Sequence, residues 1–138
     1  MFGSVHSVTG AFANGTARYE NCDELGEAIL KFSNGIIGTM AAGWDDVADP
    51  YRLMVMGTKG YATLGSDLMV AGEDGKLVKY EQLEPAKSAG FNGWLDALEG
   101  KPADLVTPKE ATNRDVVMGA IYDGAEHHKW VNIPAAWH

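Results

Sequence analysis

Apolar and polar positions along the first two thirds of the chain change over short intervals broken by turn residues, the pattern of strands in a meander. Residues 5–12 mix β-branched and small side chains, and Asn14-Gly15 marks a turn. Across 24–32 the side chains alternate. Ala28, Leu30 and Phe32 point one way and Glu27, Ile29 and Lys31 the other, with Ile29 the apolar exception on a mixed face. Ser33-Asn34-Gly35 then joins this strand to the next, because Asn and Gly both tolerate the positive φ that a tight hairpin requires. The strand over 36–44 is built from small residues (Gly38, Thr39, Ala41, Ala42, Gly43), which leave a flat face open to close approach.

Asp45, Asp46, Asp49 and Pro50 read as a loop, since aspartates and a proline do not suit a central strand. Further strands are predicted at 51–56, 61–64, 67–71 and 76–80, the first two joined by Gly57-Thr58-Lys59-Gly60 and the last two by Glu73-Asp74-Gly75. The period then changes. Phe91, Trp94, Leu95 and Leu98 recur at helical spacing and stop at Gly100 and Pro102. Thr107-Pro108-Lys109-Glu110 is a capping box with proline at the first helical position. It opens a helix to about residue 127, with Val117, Ala120, Ile121 and Ala125 on one face. A short extended segment, 130–134, follows. The expected class is α+β: a mainly antiparallel open β-sheet with two helices packed on one face, in a single domain over 1–138.

Composition narrows what such a domain does. The chain has 138 residues, 46% hydrophobic and 22% charged, as in a soluble globular domain able to bury its own core. A formal charge of -8, without a Lys/Arg run, argues against nucleic acid as a partner. The single cysteine, Cys22, excludes an intrachain disulfide and sits among acidic residues that disfavour its thiolate. Residues 1–6 have neither a charged nor an apolar leader region, and no apolar run reaches the ~20 residues of a membrane span. A cytoplasmic protein is the expectation.

Chemistry-bearing motifs are sparse. No Gly-x-Gly-x-x-Gly stands between a strand and a helix, and Gly57-Thr58-Lys59-Gly60 joins two strands, so no helix N-terminus there faces an anion. His127 and His128 are adjacent on a helix, point about 100° apart and suit a helix C-terminus better than a shared metal. There is no nucleophile elbow, and the Asp45–Asp49 cluster lacks calcium-loop spacing. Asp45 and Asp46 read as a solvated loop or a ligand-facing one. Trp44 and Tyr51, which flank them, read as packed aromatics or as stacking surfaces for a sugar ring.

The order of signatures resembles the glucose–fructose oxidoreductase/inositol dehydrogenase (Gfo/Idh/MocA) family. The matching pieces are the acidic start at Asp23-Glu24 leading to Phe32-Ser33-Asn34-Gly35, then Gly38 through Trp44, then Gly57-Thr58-Lys59-Gly60. Residues 91–98 and the helix and exit over 117–131 complete the set. The resemblance implies the C-terminal domain alone of an NAD(P)-dependent sugar or polyol oxidoreductase, without the N-terminal Rossmann domain. The family's Glu-Lys-Pro lysine and its Asp/His helix have no counterpart; Glu84-Pro85 lacks the lysine.

From this resemblance no catalytic, cofactor-binding or metal residue is expected in the chain, which should not turn over alone. NAD or NADP would belong to the full-length parent enzyme. A substrate-side loop is expected at Trp44, Asp45, Asp46 and Tyr51. Homodimer or higher pairing is expected through a sheet face carrying Gly38, Met40 and Ala42, with a separate Rossmann subunit as another partner. The competing expectations are a standalone dimerisation or interaction module and a binder of a small sugar-like ligand.

Overall fold

A computed structural model describes residues 2–44 and 53–137. The described residues fold as α+β, with two antiparallel four-stranded sheets and two α-helices, and neither sheet closes into a barrel. The chain divides into two compact units, one of residues 1–45 with 106–138 and the other of 46–105.

In the first unit, β1 (Val5–Ala13), β2 (Leu25–Phe32), β3 (Ile37–Gly43) and the short β8 (Val131–Asn132) form a sheet in the order β3-β2-β1-β8. The Asn34-Gly35 signal holds as a hairpin, but only Gly35 takes a positive φ, of 88°. The amide of Gly35 donates to the Phe32 carbonyl at 3.0 Å, and Asn34 stays on the ordinary side of the map and accepts the Ile36 amide through Oδ1. This is a longer loop closed by a left-handed glycine rather than a two-residue turn.

Register decides what each face carries. Ala28 lies opposite Gly10 and Met40, and Leu30 opposite Val8 and Gly38. Directly paired residues share a face, so Val8, Gly10, Ala28, Leu30, Gly38, Met40 and Ala42 all look the same way. The helix α2 (Pro108–Glu126) crosses this face over β1 and β8. Its capping box is complete. The Thr107 side chain accepts from the Glu110 amide at 3.2 Å, while the Glu110 carboxylate accepts from the Thr107 amide at 2.8 Å. Val117, Ala120 and Ile121 pack inward as the sequence period requires, and with Val8, Ala28 and Ile133 they make the core. Gly10 and Gly124 let helix and sheet approach: a Cβ on Gly10 would stand 2.7 Å from Ile121 Cγ2, and one on Gly124 would stand 3.4 Å from the Thr9 Cα of β1 and 2.9 Å from the Lys129 carbonyl.

In the second unit, β4 (Leu53–Gly57), β5 (Gly60–Leu64), β6 (Leu68–Ala71) and β7 (Val78–Lys79) pair in sequence order. Gly57 pairs with Gly60, so the Gly-Thr-Lys-Gly segment is the hairpin turn expected of it. The helix α1 (Gly90–Leu98) belongs to this unit. Its apolar stripe is largely bare: Phe91 is 71% exposed and Leu98 67%. The buried residue of α1 is Gly93, against Ser88 and Leu105. The expectation of one sheet with both helices on one face is therefore refined. The strands divide between two sheets, and each helix belongs to a different unit.

Candidate functional site

The site is built where the 14–24 connection returns to the first sheet. Gly26 has no side chain, and a Cβ there would fall 2.5 Å from the Phe12 ring, so Phe12 lies over its backbone. Tyr122 of α2 stacks on Phe12 with centroids 4.3 Å apart and planes 11° from parallel. This stack aims the Tyr122 hydroxyl at Asp23, to which it donates at 3.0 Å. The hydrogen bond pushes the Tyr122 phenol above the ordinary tyrosine range, with burial and the Asp23 charge adding in the same direction.

These groups line a cleft of about 330 Å³ on the α2 side of the sheet. Met40 and Ala42 of β3 form its floor with Ala28, and Met118 and Ile121 of α2 face them. Trp44 lies at the end of β3, half exposed, with its ring 5.7 Å from that of Tyr19. The small residues of β3 thus open space beside α2.

Glu24 is the buried charge of the site. It is 2% exposed, and its carboxylate accepts from the Thr16 amide, from Thr16 Oγ1 at 2.6 Å and from the Arg18 amide at 3.3 Å. The hydrogen bonds from Thr16, hydroxyl first and amide second, hold the Glu24 carboxyl below its usual range despite burial. A second cleft of about 710 Å³ is lined by Ser4, Val5, Leu30, Asn113 and Trp137, and it shares Met40 and Met118 with the first. Asn113 Oδ1 is a buried acceptor without a hydrogen-bond partner among the described residues.

Of the residues singled out in the sequence, Trp44 lines the first cleft. Asp45, Asp46 and Tyr51, with the rest of that loop, lie outside the described residues. Gly38, Met40 and Ala42 were expected on a pairing face. They share the face that α2 crosses, and Met40 and Ala42 wall the cleft. The opposite face presents Ile37, Thr39 and Ala41, which pair with Lys31, Ile29 and Glu27. Cys22 is exposed, and His127 bonds Asp123 at the C-terminal end of α2. Among the described residues no group of three or more His, Cys, Asp or Glu is placed to hold a metal ion, and no helix is long and apolar enough to cross a membrane.

Sequence reasoning missed Phe12, Tyr19 and Tyr122 as site residues, and it used Asp23 and Glu24 only as motif letters. Tyr122 and Asp23 are 99 positions apart, so no local spacing signals the pair. The arrangement can bind a small molecule with an apolar face and hydroxyl groups. A carboxylate and a phenol meet its polar side, and aromatic and methionine side chains meet the other.

No family model matches the sequence, and no curated protein matches it. Solved structures do. A levoglucosan dehydrogenase in complex with NADH superposes with a TM-score of 0.72 at 17% identity, over 95% of this chain and 45% of its own. An NAD-binding protein from Listeria innocua gives 0.71 at 21%, over 100% of this chain and 44% of its own. An oxidoreductase from Agrobacterium radiobacter, in complex with NAD+, L-tartaric acid and magnesium, gives 0.72 at 17%, over 98% and 45%. At these identities the likeness is one of fold. The chain spans under half the length of each of these proteins.

Proposed function

We propose that this chain serves as the substrate-pocket and subunit-pairing half of an NAD(P)-dependent sugar or polyol oxidoreductase of the Gfo/Idh/MocA type, working in the cytoplasm and inactive alone. The observation that carries this reading is the pattern of coverage. Nearly the whole chain superposes on less than half of proteins whose structures hold NADH or NAD+. The ordered motifs from Asp23 to Gly60 agree with it. In this reading NAD or NADP is held by a Rossmann-type half, in the same polypeptide or in a separate subunit, and the described cleft contributes one wall of the substrate site. Hydride transfer needs a nicotinamide set against the substrate, and the groups gathered around Asp23 and Tyr122 supply binding and orientation.

The pairing role is supported by the sheet face opposite α2, where Leu25, Ile29 and Ile37 lie exposed. Apolar patches of this kind mark association surfaces.

Fluorescence titration with NADH tests the reading on the chain as it is. The expected result is no binding, and tight binding would overturn it. Sedimentation at rising concentration tests pairing: a dimer or larger species is expected, and Ile37→Glu should shift it toward monomer. A strict monomer at high concentration would remove the pairing role. A second reading, a small sugar-like ligand binder, is favoured by the cleft itself. A rise in Tm with any member of a sugar and polyol panel would support it.

A further inference from the structure

Glu24 is an unusual residue to bury in a domain this small. A buried carboxylate adds little stability that an apolar side chain of similar size would not, because its desolvation must be offset by every hydrogen bond it makes. Its partners explain the placement. The side chain accepts from the amide and hydroxyl of Thr16 and from the amide of Arg18, three donors within one tight loop. Asn14 braces the same loop: its Oδ1 accepts the Ala17 amide at 2.7 Å, and its Nδ2 donates to the Tyr19 carbonyl at 2.7 Å. Ala17 sits at φ 54°, a conformation that needs such bracing.

The backbone of Glu24 reaches the other way. Its carbonyl accepts the Trp44 amide at 3.2 Å, and its own amide donates to the Ala13 carbonyl at 2.9 Å. One residue therefore ties the 14–21 loop, the end of β1 and the end of β3 together. The product is an exposed feature. Tyr19 and Trp44 are 53% and 48% exposed, yet their rings are held at 36° to each other, 5.7 Å apart, and Trp44 lines the cleft.

We propose that Glu24 is a positioning residue for this mouth. Its carboxylate fixes the loop that carries Tyr19, its carbonyl fixes Trp44, and together they hold the two rings as a stacking surface for the C–H face of a ring-shaped ligand. The ligand part rests on the cleft being a substrate wall; the positioning part does not.

The full chain labelled with 5-fluorotryptophan tests the positioning. It contains four tryptophans, and Trp44→Phe assigns the Trp44 resonance. Glu24→Gln puts an amide group among amide donors, so it should move or broaden the Trp44 signal in the same sense as Tyr19→Ala while Trp94, Trp130 and Trp137 keep theirs. Hydrogen exchange at the Thr16 and Arg18 amides should rise about tenfold or more, with the β1–β2 ladder amides unchanged, since local opening and global unfolding separate in this measurement. A Trp44 signal that stays in place in Glu24→Gln overturns the proposal, even if the loop amides exchange faster. If Glu24→Gln does not fold, Thr16→Val decides: it removes one donor and keeps the charge, and it should shift the same signal by less. No shift there overturns the proposal. None of these readouts involves a ligand or cofactor, so their failure is distinct from failure of the oxidoreductase reading.

Discussion

The two helices of this chain invert the usual relation between amphipathicity and burial. α1 has the cleaner apolar stripe, in Phe91, Trp94, Leu95 and Leu98, yet these side chains are exposed. α2 has a mixed surface and holds the core, with Ile121 1% exposed. The difference lies in what each helix meets. α2 is opposed by a sheet face whose glycines admit it closely, at Gly10 and at its own Gly124. Within its own unit α1 buries only Gly93, against Ser88 and Leu105, among the described residues. A period in the sequence says which residues share a face; it does not say how far that face is buried.

Core truncation should break this comparison most sharply if it is wrong. Ile121→Ala should cost about 2–5 kcal/mol, the transfer loss plus a cavity between Val8, Ala28 and Ile133. Leu98→Ala, on the bare stripe, should stay within about 0.5 kcal/mol. Urea unfolding with matched m-values measures both. Equal losses would mean that α1 is buried in the folded chain in solution.

Two glycines of α2 sharpen the point within one helix. Gly124→Ala forces a Cβ to 2.9 Å from the Lys129 carbonyl and 3.4 Å from Thr9 Cα, an overpacking of about 1–3 kcal/mol. Gly119→Ala meets nothing within 4 Å, so it should stabilise by up to about 1 kcal/mol through helix propensity alone. The two thermal shifts should have opposite signs.

Thr107→Ala comes next, at about 1 kcal/mol, because it removes the acceptor of the Glu110 amide and loosens the reciprocal bond. This feature was fully legible beforehand: Thr107, Pro108 and Glu110 stand at fixed spacing and need no tertiary context. Most strands were legible too, their turns marked by Asn34-Gly35 and Gly57–Gly60, although the one expected over 76–80 is only Val78–Lys79, and so was the inward face of α2 at Val117, Ala120 and Ile121. Sheet membership was not legible, because alternation within a strand is silent about which strands pair. The site was legible only at Trp44. Gly38, Met40 and Ala42 were expected on a pairing face, but the face they take follows from register with β2, a fact that no single strand contains. The Tyr122–Asp23 pair and the Glu24 clamp join segments distant in sequence or held by loop geometry, and hydrophobic period does not record either.

The smallest effect is a pH dependence seated in the better-packed unit. Glu24 and Glu110 are both held below the ordinary carboxylate range: Glu24 by the Thr16 hydroxyl first and amide second, Glu110 by the Thr107 amide first and its hydroxyl second. A carboxyl depressed in the folded state contributes stability that is full above its unfolded value and is lost as pH falls through its folded one. Stability should therefore be level through neutral pH and decline below the ordinary carboxylate range. Glu110→Gln should flatten part of that acid limb while changing the neutral plateau only modestly, because its partner Thr107 still caps the Glu110 amide position through its own side chain. Glu24→Gln should flatten it further. Far-ultraviolet melts from neutral pH to about pH 3, within the range where carboxyls titrate, measure the slope. An acid limb unchanged in both variants would assign the acid sensitivity to other groups, and with it would go the idea that these two carboxylates help distinguish the unit built on α2 from the unit that carries α1.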